Sequence, residues 1–365
     1  MSKAEVYRDF LKLVRLGIGH SADGLSANPD WQAIGANAAR HGLMAVVVDG
    51  IGFQKALPPR ELMLQWVGQV LQGYEMPYRL YLRAVASLAR IYNAHGFKMM
   101  VLKGYACSLN WPKPEHRPCG DIDIWLFGKQ KAADAMLTKE AGVVVDTTHH
   151  HHTVFDWEGF TVENHYDFVN VHSYRSSRRI EKLLKELGAY SDRVESVGFQ
   201  HRKVALQGAP VWIPSPNLHA LFLMRHLGAH FAAISIDLRQ LLDWGFFVER
   251  YFAEIDWAWL TKVLEEYHLS VFSNCINAIC VEDLGFDKGR FTQGVFNRPL
   301  KERILMDILE PEFASGEPNG FIRRMLFKYR RWQGNAWKQR LCYDDNRFVS
   351  FWTGLGEHIF KPRKG

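Results

Sequence analysis

Cysteine is scarce and unpatterned in this chain. Its five cysteines (Cys107, Cys119, Cys275, Cys280 and Cys342) are an odd number with no C-x-x-C spacing. That excludes a disulfide framework and a cysteine zinc site, and it fits reduced thiols in the cytoplasm. Long apolar runs are also missing. The longest candidate, Leu218 to Ile236, is interrupted by Arg225, His226 and His230, so nothing reaches the ~18 apolar residues of a membrane-spanning helix. The opening Met1-Ser2-Lys3-Ala4-Glu5 is charged and carries no apolar core, so no signal peptide is expected and a cytoplasmic location is. No internal repeat and no low-complexity linker breaks the chain, which excludes a repeat array.

What is present is an ordinary globular balance. A chain of 365 residues, 47% hydrophobic and 23% charged, is long enough for more than one domain and a substantial core. The net charge of +6 favours anionic partners such as nucleotides without singling out nucleic acid.

The most informative stretch is Lys103-Gly104 followed by Arg117-Pro118-Cys119-Gly120-Asp121-Ile122-Asp123-Ile124. On a strand, side chains at i and i+2 share a face. Asp121 and Asp123 therefore project together, with Ile122 and Ile124 facing a core. Two carboxylates that close repel unless a cation joins them, and a hard divalent ion such as Mg²⁺ takes oxygen ligands while keeping a substrate phosphate. Asp is otherwise depleted in strands, and a solvated surface pair is the plain alternative. Upstream, Phe97 to Leu102 reads as a short buried strand. Gly104 permits a tight strand-to-helix turn, and the start of a helix over 105–111 would offer amide groups to a phosphate. Lys103 can add a point charge there. Arg117 can neutralise a triphosphate or hold the acids in a fork geometry; equally it can form a structural ion pair with Asp121 or Asp123.

The pattern Val101-Leu102-Lys103-Gly104, then Arg117-x-x-Gly120-Asp121-Ile122-Asp123, resembles the nucleotidyltransferase superfamily of polymerase-beta-like fold. It is most similar to a bacterial branch in which an LKG strand end precedes an R-x-x-GDIDI strand. The resemblance implies an α+β chain with a small mixed sheet flanked by helices. It implies Asp121 and Asp123 as metal ligands and catalytic acids, with a third acid on a later strand. The returning strand of a hairpin, Phe160-Thr161-Val162-Glu163-Asn164-His165-Tyr166, matches that third-acid strand. Glu163 is accordingly expected to complete the Mg²⁺ or Mn²⁺ site, with His165 on the same face orienting it or touching the acceptor; Asp167 is its competitor. Lys103, Gly104, Arg117, Gly120 and His165 would bind the nucleotide, with ATP the expected NTP. Better-known relatives carry Gly-Ser where this chain has Gly104-Tyr105, so their serine hydroxyl contact is missing here.

Around this core the periodicity is helical. Helices are expected over 4–17, 31–41 (capped by Asp30), 43–54 and 59–95, the last split or kinked at Pro77. After the acid strand come a helix over 129–140, a strand at Val143 to Val145, and the tract His149-His150-His151-His152. Consecutive strand residues alternate faces, so at most two of these histidines can converge, with His150 or His152 the candidate. A basic helix begins at Arg175, and short strands are expected near 199–206 and 211–213. Pro214-Ser215-Pro216 then marks a boundary. Three regions result: a helical lead-in over 1–95, a catalytic core over 96–214 and a helical C-terminal domain over 215–365. Leu238-Arg239-Gln240-Leu241-Leu242-Asp243-Trp244 also resembles the family, and Arg239 would reach the nucleotide across the cleft. His226 and His230, at i and i+4, are read as packing against Arg239 and Asp243 rather than binding metal. The basic, aromatic stretch from Phe321 to Arg340 reads as a helix with a core stripe and a basic outer face, so nucleic acid is not the favoured partner.

The expected reaction moves an NMP from an NTP to a hydroxyl or amine acceptor, small or macromolecular, and releases pyrophosphate. The rivals are nucleotidylation of a protein in the manner of toxin–antitoxin pairs, a non-catalytic nucleotide-binding scaffold, and a metal hydrolase built on the histidine tract.

Overall fold

The computed structural model describes residues 2–171, 174–189, 197–291, 294–313 and 318–344. The chain begins with α1 (Lys3–Gly17), α2 (Trp31–Arg40) and α3 (Met44–Ile51). Ser2 and Glu5 close α1 with a capping box, and the Asp30 side chain accepts from the Ala33 amide at the start of α2, satisfying donors that a helix start leaves free. Two longer helices follow, α4 (Arg60–Val70) and α5 (Met76–Ala94), joined without a break by a π-turn over Leu71–Glu75. Pro77 sits just past that turn. The Met76 amide reaches back to Leu71, so the wider turn falls where the proline ring would crowd an ordinary helix.

The middle of the chain builds one six-stranded mixed sheet in the order β3-β4-β2-β1-β6-β5. Its members are β1 (Met100–Val101), β2 (Ile122–Trp125), β3 (His152–Trp157), β4 (Phe160–His165), β5 (Arg202–Leu206) and β6 (Ala209–Ile213). Between them lie α6 (Tyr105–Ser108), α7 (Gln130–Ala141) and α8 (Arg175–Ala189). β2 runs parallel to β4 and antiparallel to β1, and β1 runs parallel to β6. The β3–β4 hairpin turns through Glu158 and Gly159, both at positive φ (49° and 83°), the backbone a two-residue turn of matching twist requires. This is the expected α+β class. The segment Val143–Val145 is not a strand; Asp146 alone bridges to Val154, and Val144 is exposed.

The helical half comprises α9 (Pro216–Ala233), α10 (Leu238–Tyr251), α11 (Trp257–Glu266), α12 (Ser270–Glu282), α13 (Arg298–Leu309), α14 (Phe321–Gly334) and α15 (Ala336–Cys342). Among the described residues, two apolar cores hold the molecule. One, including Val85, Leu88, Ile122, Ile124, Leu137 and Val162, packs α5 and α7 on one sheet face. The other is shared by the first helices and the last ones, from Phe10 and Val47 to Phe247 and Ile304. The opposite face of β2 and β4 is left for a cleft between sheet and helices. α15 is tied in by Lys338, which is buried against Asp307 at 2.7 Å, whereas α14 leaves Ile322, Met325 and Leu326 exposed. All five cysteines are unpaired, and no described helix is long and apolar enough to cross a membrane.

Candidate active site

The register of β2 on β4 sets Asp123 directly beside Glu163, with Trp125 beside His165 and His152 next across the sheet. Ile122, Ile124 and Val162 then fall on the core face. A cleft of about 640 Å³ opens over the polar face. Lys103, Gly104, Arg117, Gly120, Asp121, Asp123, Glu163 and His165 line its floor and corner, and Arg239 reaches it from α10. The residues singled out in the sequence are thus brought to one cavity, although β1 and α10 lie far from β4 along the chain.

The floor is held by charge. Lys103 Nζ lies 2.6 Å from Asp123 Oδ1, and His165 Nε2 lies 3.2 Å from the same oxygen and 3.5 Å from Glu163 Oε2. Burial by itself would raise the Asp123 carboxyl, but the Lys103 ammonium and the His165 hydrogen bond outweigh it and hold Asp123 well below the usual range. Glu163 is also lowered, chiefly by its hydrogen bond with His165. His165 is raised. Burial opposes its charge, but Asp123 and Glu163 more than offset that. Asp121, more exposed at the entry to β2, is pushed up by partial burial and by the neighbouring carboxylates. The three acids form a hard-oxygen donor set short of cations, with one lysine among them, and this fits a divalent metal of the Mg²⁺ type. Among the described residues, Asp123, Glu163 and His165 each offer a ligand atom within 4.8 Å of the others; Asp121 stands outside that group.

Gly104 has a clear steric reason. Its φ is +47°, and a Cβ there would sit 2.0 Å from the Tyr81 hydroxyl, a position only glycine tolerates. α6, expected over 105–111, is only 4 residues long, and the Tyr105 amide already donates to Tyr81 Oη at 3.4 Å. A single turn has little dipole to offer a phosphate.

Arg117 departs from expectation. It pairs neither with Asp121 nor with Asp123. Its Nε and Nη2 donate to the two oxygens of Asp243 at 2.7 and 2.8 Å, and Trp111 Nε1 donates to the same carboxylate at 2.8 Å. Nη1 donates to the Pro118 carbonyl at 3.2 Å. With its donors largely committed, Arg117 anchors the loop before Asp121 to α10. Asp243 is therefore not the partner of Arg239, which instead donates to Asp237 and to the Pro118 carbonyl, each at 3.3 Å. Asp167, the competitor for third acid, turns away and pairs with Lys185, while its carbonyl oxygen accepts from His165 Nδ1 at 3.2 Å.

His226 and His230 also depart from expectation. Both line the cleft from α9, with ring centroids 4.3 Å apart. Burial and the charge of Lys103 hold His226 well below the usual histidine range. Among the described residues the two belong to no group of three candidate ligands. Gln240 and Asn170 likewise line the cleft and went unread in the sequence. The i, i+4 spacing of the histidines was the available signal, but helical period alone does not say whether the shared face meets a core or a cavity.

The sequence model of a family described as an uncharacterised nucleotidyltransferase matches residues 27–285. No curated protein and no solved structure matches the chain.

Proposed function

This chain belongs to the uncharacterised nucleotidyltransferase family, an enzyme class that moves a nucleotidyl group from an NTP, and we propose that it transfers an NMP from ATP to a hydroxyl or amine acceptor. The observation that carries this reading is the pairing of Asp123 with Glu163 on parallel strands, beside Lys103 and Asp121, on the floor of an open cleft. Asp121, Asp123 and Glu163 would hold Mg²⁺, which when bound supplies charge neutralisation to the triphosphate. Lys103, 2.6 Å from Asp123, would offer its ammonium to the phosphates. Arg239, on the facing wall, adds a second cation. Gly120 has nothing within 4 Å of where a Cβ would stand, leaving room for nucleotide over the acid strand. The acceptor oxygen or nitrogen attacks the α-phosphorus in line, the bond to pyrophosphate breaks, and the acceptor's proton passes to solvent water past Glu163, whose carboxylate is ionised at neutral pH. His165 holds that carboxylate in place. The helical wall, with His226, His230 and Gln240, faces the acceptor.

Calorimetry with ATP, with and without Mg²⁺, tests the site. Binding that requires Mg²⁺ and disappears in Asp123→Asn is the expected result, followed by transfer of label from α-labelled ATP. Nucleotide binding that is unchanged by Mg²⁺ and by the substitution would overturn the reading.

A further inference from the structure

Beside the acids, three imidazoles converge. His151, His152 and His165 each offer a ring nitrogen, and these nitrogens lie within 4.8 Å of one another. The ring centroids are 4.2 Å apart for His151 and His152, 5.2 Å for His152 and His165, and 5.6 Å for His151 and His165. Strand alternation alone would forbid two consecutive histidines from meeting at one point. His151 escapes that rule because it precedes the first residue of β3. Its carbonyl oxygen accepts from the amides of Tyr166 and Asp167 at 3.1 and 3.0 Å, which pins it to the end of β4. His152 stands directly opposite His165 in the antiparallel register.

The hydrogen bonding of these rings is incomplete in a telling way. His165 Nδ1 donates to the Asp167 carbonyl, the outer-shell arrangement typical of metal-bound histidine, and Nε2, which lies against Asp123 and Glu163, is the atom a metal would take in exchange for its proton. His151 Nδ1 and His152 Nδ1 are buried without a hydrogen-bond partner, and His152 is only 7% exposed. Buried polar atoms normally find partners. Glu163 Oε2 approaches the cluster, 3.9 Å from His152 Nδ1 and 3.5 Å from His165 Nε2.

We propose that His151, His152 and His165, with Glu163 as a fourth ligand, form a binding site for a divalent transition metal of the Zn²⁺ or Co²⁺ class, beside the oxygen site of the three acids. Imidazole nitrogen suits such ions, whereas Mg²⁺ prefers carboxylate and water. Metal–nitrogen bonds of about 2.0–2.1 Å in a tetrahedral set require only a modest inward rotation of rings already gathered this closely. Glu163 is common to both sites, so the two metals would share a carboxylate. This inference goes beyond nucleotidyl transfer and does not depend on it.

The test is a titration of the metal-free full-length chain with Co²⁺ in excess Mg²⁺, read by visible absorption, followed by displacement with Zn²⁺. The wild type should bind one Co²⁺ with intense tetrahedral-type bands that Mg²⁺ does not remove and Zn²⁺ does. In His151→Ala the affinity should fall more than about 100-fold, beyond the loss caused by removing an outer-shell partner. Asp121→Asn should keep the bands. Circular dichroism and ATP calorimetry on His151→Ala separate a lost ligand from a lost fold, and His151→Gln provides a second, bulkier variant. Bands that persist in His151→Ala, or that vanish only in a His149→Ala/His150→Ala double variant, would overturn the proposal in favour of the neighbouring tract. Displacement by Mg²⁺ would overturn it in favour of a single oxygen site. Failure of ATP binding with intact Co²⁺ bands would count against the transferase reading alone.

Discussion

At the corner of the cleft, Arg117 meets Asp243 through two hydrogen bonds of 2.7 and 2.8 Å, and Trp111 completes the carboxylate's shell. On the floor, Lys103 meets Asp123 through one contact of 2.6 Å, with His165 as the only other donor to that carboxylate among the described residues. Both pairs are buried or nearly so, and both line the same cavity. The corner pair is geometrically saturated: a planar fork on a planar carboxylate, with little left to give a ligand. The floor pair joins a flexible ammonium to an acid that faces two further acids, and it can open without leaving a hole in the core. A charge whose partners are complete holds structure. A charge whose partners are incomplete is available for chemistry.

The sharpest way to break the comparison is at the corner. Arg117→Ala leaves Asp243 buried and unpaired, and should cost about 3–5 kcal/mol of stability, measured by denaturant unfolding. On the floor the effect should move from stability to chemistry. Asp123→Asn should lower turnover by about 10²–10³-fold, or ~3–4 kcal/mol in the barrier, with a smaller change in unfolding midpoint than Arg117→Ala. If the two variants exchanged these signatures, the distinction between saturated and unsaturated pairs would fall.

A third carboxylate sharpens the rule. Asp134 of α7 faces the core side of the hairpin, where Asn164 Nδ2 and Thr153 Oγ1 donate to it at 2.7 and 2.8 Å, with Gln130 adding a third donor. Asn164 lies between Glu163 and His165, so one strand presents a satisfied acid site on one face and an open one on the other. Asp134→Ala should cost roughly 1–3 kcal/mol, the expense of orphaning buried donors, and should reduce turnover less than Asp123→Asn does. The smallest effect is electrostatic. His165 titrates above its ordinary value because Asp123 and Glu163 favour its proton. Its contribution to stability is therefore full below the unfolded value of about 6.5 and is lost as the pH rises through the raised native value. Its NMR titration in the metal-free chain should move downward in Asp123→Asn, and no movement would show that the acids do not govern it.

Much of this was legible locally. The alternation Asp121-Ile122-Asp123-Ile124 already separates a wet face from a dry one. Gly159 marks the hairpin, and period 2 puts Glu163 and His165 together. The failures came where local rules meet a neighbour. Val143 to Val145 has strand composition, but no sheet edge is offered to it. The run after Gly104 reads as a longer helix than the one turn that forms before Trp111 packs toward Asp243. His151 reaches the site because it lies just outside the strand whose alternation would have turned it away.

The sequence by itself determined the acid strand and its two faces, because periodicity and turn chemistry act over a few residues, and the α+β class followed from the family resemblance that this strand carries. Only the tertiary structure decided which charges are spent. Arg117 and Asp243 stand 126 residues apart, in two motifs whose spacing says nothing of their meeting. Ion pairs form between whatever faces the packing of helix on sheet brings within 3 Å or so. That packing sends the guanidinium of Arg117 to α10 and leaves Asp121, Asp123 and Glu163 with Lys103 as the one lysine or arginine in direct contact among the described side chains, and the His165 imidazole beside it.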